Sequence, residues 1–156
     1  MIQVSVTSLG TPTTEQLAQF KAFYAGNGAE SDEQLTAILR SAMVEVQEWE
    51  DVSLLDETIS VVCAARRDPR APIRLYRTVK TITSVKDQNG CDIEYARFGN
   101  LLTLGHPARN VEVKYEAGPG ENGFQVENLL PKAFRLACAK LDGEDAKTVN
   151  AILMEG

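Results

Sequence analysis

Few residues in this sequence have the side chains and spacings that catalysis requires. His106 is the only histidine, so a Ser-His-Asp or Cys-His mechanism would have to use it as the general base. Pro107 follows it in a predicted loop, and no serine lies in a G-x-S-x-G motif. We therefore interpret His106 as a surface loop residue and predict that the protein is not an enzyme.

The three cysteines form no pattern typical of a disulfide framework or a zinc site. Cys63, Cys91 and Cys138 are widely spaced and contain no C-x-x-C pair. A single histidine cannot complete the usual set of zinc ligands. We expect reduced thiols and no metal, and an enzyme that uses Cys91 or His106 is kept as an alternative hypothesis.

A glycine-rich segment, Gly118-Pro119-Gly120-Glu121-Asn122-Gly123, matches the G-x-G-x-x-G pattern of dinucleotide sites. Such a site requires a helix that begins inside the motif, so that its first amides face the pyrophosphate. Residues 124–127 are predicted to separate the motif from the next helix, and no second parallel strand follows. The pattern therefore predicts an exposed loop and no cofactor.

Charge is distributed unevenly along the chain, whose net charge is −6. Residues 1–60 carry two basic and ten acidic groups, residues 66–86 carry seven basic and one acidic group, and residues 87–156 carry seven basic and eleven acidic groups. The basic segment could pair with acidic segments of its own chain or of another copy. It contains Tyr76 as its only aromatic residue, and the acidic remainder repels phosphate, so we expect no tight DNA binding.

Length and composition favour one ordinary globular domain that spans residues 1–156. Hydrophobic residues make up 44% and charged residues 24% of the 156 positions, as is typical of a folded domain that needs no disulfide or metal. No apolar run approaches the ~20 residues that span a bilayer. The N-terminal segment lacks the features of a signal peptide, so we expect no membrane association and synthesis in a cytoplasm.

Helices are predicted at both ends of the chain. Thr13 or Thr14 can cap a helix from Glu15 to about Tyr24, ended by Gly26-Asn27-Gly28, and Ser31 with Gln34 forms a capping box for a longer helix. The longer helix has an apolar stripe that is typical of a core face: Leu35, Ile38, Leu39, Ala42, Val46 and Trp49. Near the C-terminus, residues 129–141 and 144–154 read as two further helices.

Strands are predicted in between. The predicted extended segments are 58–63, 73–76, 79–86, 91–95, 101–104 and 111–117. Asn89-Gly90 favours a tight hairpin turn that returns the chain along 91–95, and Gly99-Asn100 marks a second turn. The resulting fold class is α+β: a mainly helical protein with an N-terminal helix pair, an inserted antiparallel meander or hairpin, and C-terminal helices.

The order of these motifs resembles the head–tail connector (adaptor, or head-completion) proteins of long-tailed double-stranded DNA phages and prophages. The resemblance rests on a proline-flanked segment, a valine-rich strand before a turn, an alternating strand and a proline-led helix. These are Ala71-Pro72-Ile73-Arg74-Leu75, residues 79–90 (VKTITSVKDQNG), residues 111–118 (VEVKYEAG) and Leu130-Pro131-Lys132-Ala133-Phe134. Two features depart from that family: residues 135–140 replace an aromatic-rich final helix, and no aromatic follows Ala117-Gly118.

This resemblance implies a structural role in a virion at the head–tail junction. Connector proteins form rings of about a dozen copies under the portal, extend the DNA channel and join the head to the tail. The partners implied are other copies of the chain, the portal protein, the next head-completion or tail-terminator protein, and passing DNA that is not bound by sequence. The alternative is a small, non-catalytic, oligomeric binding module with an unknown ligand.

Two sets of residues are candidates for assembly contacts. Arg66, Arg67 and Arg70 begin the basic segment and could meet an acidic surface of a neighbouring subunit in a heterologous ring. The apolar residues of the short last helix could bind a partner: Val149, Ile152, Leu153 and Met154. Alternatively, this helix packs on its own domain as a final core helix, because a helix of this length is marginal when isolated.

Overall fold

The computed structural model describes residues 1–24, 30–119, 124–143 and 146–154, without the side chains of residues 124–127 and 146. Four helices lie in these ranges: Thr14–Phe23 (α1), Asp32–Glu50 (α2), Phe124–Leu141 (α3) and Ala146–Met154 (α4). Seven strands lie in them: Ile2–Leu9 (β1), Glu57–Cys63 (β2), Ile73–Arg74 (β3), Val79–Asp87 (β4), Tyr95–Phe98 (β5), Leu101–Leu104 (β6) and Val111–Ala117 (β7). None of the helices in the described ranges is long and apolar enough to cross a membrane.

The strands pair antiparallel and form two sheets, with the orders β1-β2-β7-β4 and β3-β6-β5. This arrangement confirms the α+β class, and the expectation of a mainly helical protein is wrong. The main reason is β1, an eight-residue strand that is absent from the predicted extended segments. The sheet is therefore built from the N-terminus as well as from the middle of the chain, and is not a hairpin inserted between helices.

The described chain divides into two compact units. The first unit, here called the sheet unit, contains Met1–Leu9 and Asp56–Gly118. The second, here called the helical unit, contains Gly10–Leu55 and Pro119–Gly156. The single-domain assignment of residues 1–156 stays a prediction.

Alternating burial defines the core face of the sheet unit. In β2 and β7 every second residue is buried, as expected for antiparallel strands with one solvated face. Both sheets contribute to one apolar core: Ile59, Val61, Cys63, Ile73, Leu75, Val85, Ile93, Leu102, Val111, Val113, Tyr115 and Ala117. Tyr115 is fully buried, and its hydroxyl accepts from Tyr76 N at 2.9 Å and donates to Tyr76 O at 3.1 Å.

The predicted hairpin around Asn89-Gly90 forms its turn and only a short return segment. Gly90 has φ +78°, and Asp87 Oδ1 accepts from the amides of Asn89 (2.8 Å) and Cys91 (3.0 Å). Beyond the turn, a single bridge joins Lys86 to Asp92, so the strand predicted at 91–95 is wrong. Residues 91–93 still bond to β4, with Asp87 N donating to Cys91 O at 3.0 Å and Ile93 N donating to Val85 O at 2.9 Å, but they form no regular strand. The long partner of β4 is β7. The second predicted turn, at Gly99 with φ +59°, does connect the antiparallel pair β5–β6.

Capping boxes begin the first two helices, where a cap at Thr13 or Thr14 and a capping box of Ser31 with Gln34 were predicted. Thr13 caps α1 with Gln16, and Ser31 caps α2 with Gln34. At the end of α2, Asp51 adopts the left-handed conformation, and Gln47 Oε1 accepts from the amides of Leu54 (3.1 Å) and Leu55 (3.3 Å). These bonds satisfy two buried amides where the chain leaves the helix.

The C-terminal helices also lie in the helical unit. The helix α3 begins at Phe124, earlier than the predicted residue 129, so residues 124–127 do not separate the glycine motif from the helix. The stripe residue Phe134 packs 5.5 Å from Phe20 and 5.6 Å from Phe23, measured between ring centroids. The predicted terminator Gly26-Asn27-Gly28 and most of the glycine motif, residues 120–123, lie outside the described residues.

Candidate assembly surfaces

Arg66, Arg67 and Arg70 lie together in the loop after β2, but Arg66 points into it. The Arg66 guanidinium donates to Ala108 O at 2.9 Å, to Pro69 O at 3.4 Å and to Ala71 O. Its own carbonyl accepts from Arg109 Nη1 at 2.8 Å. Arg66 therefore stabilises the loop through hydrogen bonds to its backbone carbonyls.

The other two arginines of the set are exposed. Hydrogen bonds hold the backbone on which these two side chains are mounted. In one of them, Asp68 Oδ1 accepts from Arg70 N at 2.9 Å. Arg109 also donates to Arg67 O at 3.2 Å. The loop thus presents the Arg67 and Arg70 side chains to solvent, while Arg66 organises the backbone behind them.

Further basic residues of the segment 66–86 also make side-chain contacts within the sheet unit. Arg77 Nε lies 3.2 Å from Glu57 Oε1, and both side chains are largely buried. The Arg74 guanidinium lies 5.4 Å from the centroid of the Tyr76 ring, a cation–π distance. The surface is therefore less basic than the count of residues 66–86 implies.

In the helical unit, α2 and α4 line a shallow groove of about 340 Å³. Its lining residues are Glu45, Glu48, Trp49, Val149, Asn150 and Leu153. Trp49 is 56% exposed, although the apolar stripe of α2 predicted a core position for it. The groove therefore offers an exposed indole between acidic side chains.

The predicted partner-binding residues of α4 divide between core and surface. Leu153 is buried, Val149 and Ile152 are half-buried, and Met154 is 70% exposed. The buried side chain supports the alternative in which α4 packs on its own unit. The exposed methionine provides an apolar side chain at the end of the helix that a partner could contact.

A third surface, β1, was not identified as a strand from the sequence. Ile2, Val4 and Val6 are 60%, 43% and 47% exposed. They lie opposite Cys63, Val61 and Ile59 of β2, so they continue the apolar core face of the sheet beyond its covered part. The only sequence signal for the strand is the alternation of three apolar residues, which is too short to distinguish a strand from a loop.

The β5–β6 hairpin is a fourth apolar surface. Phe98 at its turn is 87% exposed, and Tyr95 and Leu101 are each nearly half exposed. Phe98 lies opposite Leu101 in the strand register. The tip of the hairpin therefore presents an aromatic and an aliphatic side chain side by side.

The residues considered for catalysis do not come together in the described chain. His106 is exposed, with Nδ1 3.3 Å from Pro107 O. Burial raises the pKa of the Cys63 thiol, against an opposing effect of Arg66, and burial together with Asp142 raises that of Cys138. A raised pKa disfavours the nucleophilic thiolate. Among the described residues no group of three or more His, Cys, Asp or Glu side chains could hold a metal ion.

Comparison with solved structures identifies the fold. A chain from the neck of an empty gene transfer agent particle, computed with C6 symmetry, has a TM-score of 0.66 at 16% identity over 97% of this chain and 93% of its own length. A chain from a virion of the native gene transfer agent particle has a TM-score of 0.67 at 16% identity, with the same coverages. A chain from the neck of the native particle, computed with C12 symmetry, has a TM-score of 0.57 at 18% identity over 94% of this chain and 93% of its own length.

No protein-family model matches the sequence, and no curated protein matches it. The similarity to the neck chains therefore shows a shared fold. Its coverage extends over both units of the chain, and not only over the motifs that carry the sequence resemblance. The chain has a fold that occurs in the neck and virion structures of gene transfer agent particles.

Proposed function

We propose that this chain is a structural subunit of a virion neck. Its copies form a ring under the portal, extend the DNA channel and join the head to the tail. The observation that carries the proposal is the fold shared with neck chains over 94–97% of this sequence. Two of those neck structures were computed with C6 and C12 symmetry, and a cyclic assembly of that kind would suit a ring of about a dozen copies.

The exposed surfaces supply different contacts for such a ring. Arg67 and Arg70 are available for an acidic face of the next subunit, as a heterologous interface requires. Met154, next to the half-buried Ile152, is the part of α4 that remains available for the portal. The assembly needs no catalytic group from the chain.

The test is assembly with the portal protein encoded in the same genome. The purified chain is mixed with portal rings and imaged by electron microscopy. We expect an added ring of density with cyclic symmetry on one end of the portal. A chain that binds no portal, and whose deletion leaves tailed infectious particles, would contradict the proposal and favour a binding module.

Two substitutions test the non-catalytic part of the proposal. We expect His106→Ala and Cys91→Ser to leave the number of assembled particles unchanged, because neither exposed residue belongs to a described catalytic arrangement. Loss of particles with a correctly folded variant would show that one of these residues has a chemical role.

A further inference from the structure

The outer edge of β1 is an unprotected strand edge. The order of the four-stranded sheet places β1 at one end, with no strand beside it in the described chain. Such an edge presents backbone donors and acceptors to solvent and is a template for another strand. Here the edge also carries the exposed side chains of Ile2, Val4 and Val6.

The hydrogen-bond pattern identifies which residues face outward. Met1 and Ala64 exchange two hydrogen bonds, of 2.9 and 2.8 Å, and form a hydrogen-bonded pair. Antiparallel partners alternate between hydrogen-bonded and non-hydrogen-bonded pairs. The amides and carbonyls of Ile2, Val4 and Val6 therefore point away from β2. Each outward-facing residue is thus one of the exposed apolar residues.

The opposite edge of the same sheet, β4, is protected. It carries Lys80, Lys86 and Asp87, and its pairing with β7 is interrupted by two register shifts. Charges and bulges are the usual means by which proteins prevent edge-to-edge association. By contrast, β1 contains no charged residue and has one irregularity, after Val6.

We propose that β1 pairs antiparallel with β1 of a second copy of this chain, about a two-fold axis at Val4. In this register Val4 faces Val4, and Ile2 faces Val6 of the other copy. Each strand then donates three hydrogen bonds, from the outward-facing residues. The two apolar rows join on one face, and no like charges meet, because the strand is uncharged.

The size of this contact makes the dimer weak. One strand pair buries much less than the ~1,600 Å² of a standard interface, so we expect a Kd on the order of micromolar or weaker. A two-fold contact closes at two copies and cannot build a ring. The dimer is therefore a state of the free protein. Evidence for or against it leaves the proposed role in a neck unchanged.

Sedimentation equilibrium of the full chain over a range of concentrations tests the dimer. We expect Val4→Pro to weaken dimerisation at least tenfold, because it removes an outward-facing amide and costs no bond to β2. Val4→Thr keeps that amide and the branched shape, and should weaken it less. Thermal melts verify that both variants fold. A wild-type chain that stays monomeric throughout, or a dimer unaffected by Val4→Pro, would overturn the proposal.

Mixed cysteine variants test the register without relying on proline. In a Cys91→Ser background, Gln3→Cys and Ser5→Cys proteins are oxidised separately and as a mixture. Residue 3 faces residue 5 of the other copy in a non-hydrogen-bonded pair, where Cα atoms are ~4.5 Å apart and a disulfide fits. Residue 3 of one copy and residue 3 of the other are diagonal neighbours, about 7–8 Å apart, and the same holds for the two copies of residue 5. We expect cross-linking mainly in the mixture, and equal cross-linking of the separate proteins would exclude this register.

Discussion

Lys132 Nζ lies 2.6 Å from Glu50 Oε1 and joins α3 to α2, with the lysine side chain only 5% exposed. A second link of the same kind runs between the same helices, from Lys140 Nζ to Glu45 Oε1 at 2.9 Å. A lysine buried to this degree requires its carboxylate partner, because a buried charge without one is costly. The pair therefore fixes how the two helices meet within the helical unit.

We expect Glu50→Gln to lower the free energy of unfolding by ~1–3 kcal/mol, since Glu50 is partly exposed and water compensates part of the lost charge. Urea denaturation measures the change. Glu48→Gln is the matched control, because Glu48 is an exposed residue two positions earlier in the same helix. Equal stability of the two variants would show that the Lys132–Glu50 pair contributes nothing.

The hydroxyl of Tyr115 should matter more than that of any exposed tyrosine. Tyr115→Phe removes the bonds to both backbone groups of Tyr76 and leaves a partly buried amide without this acceptor, so we expect a loss of ~1–3 kcal/mol. Tyr95→Phe, on the exposed hairpin, is the control and should change stability by less than ~0.5 kcal/mol. Thermal denaturation compares the two, and a similar effect of both changes would contradict the structural role of the Tyr115–Tyr76 bonds.

Charge reversal of Arg67 and Arg70 tests the electrostatic contact of the proposed ring. We expect Arg67→Glu with Arg70→Glu to weaken ring formation on the portal, and to do so most at low salt, because exposed ion pairs are screened. Arg66 is excluded from the test, since its guanidinium is bonded inside the loop. The control is Lys21→Glu with Lys114→Glu, an equal change of charge at exposed positions outside the arginine loop and outside α4. Assembly that is insensitive to salt and to the arginine reversal would argue against this interface.

Two neighbouring residues of α4 separate packing from docking. Leu153→Ala should destabilise the protein by ~2–3 kcal/mol, because it removes a buried side chain. Met154→Ser should leave the thermal midpoint unchanged and reduce co-sedimentation with the portal. If Met154→Ser binds the portal normally, the docking surface lies elsewhere. Deletion of residues 149–156 is less informative, because it also removes the buried Leu153.

Local signals in the sequence predicted much of this structure. The predicted cap at Thr13 or Thr14 and the predicted capping box at Ser31 depend only on neighbouring residues, and a cap at Thr13 and the box at Ser31 are both present. The alternating pattern of β7 also predicted its buried face. By contrast, the strand that pairs with β4 was not predicted. β7 follows β4 by more than 20 residues, and local sequence signals favour pairing with the segment just after a turn over pairing with a distant strand.

The assembly surfaces were harder to predict for the same reason. The charge count of residues 66–86 identified a basic segment, but not that Arg66 and Arg77 bond within the sheet unit. In β1, three exposed apolar residues have the same alternation as a half-buried strand. Only the register with β2 shows that this row continues the core face into solvent.

The position of β1 in the chain has a consequence for synthesis. About 50 residues separate β1 from β2, so at 5–20 residues per second the first strand leaves the ribosome several seconds before its partner. Pairings between such distant segments form slowly, because a long loop must close first. During this interval the charge-free strand at the N-terminus is exposed in the nascent chain. The helices α1 and α2, which are made of local contacts, can fold meanwhile and shorten the loop that β1 has to close.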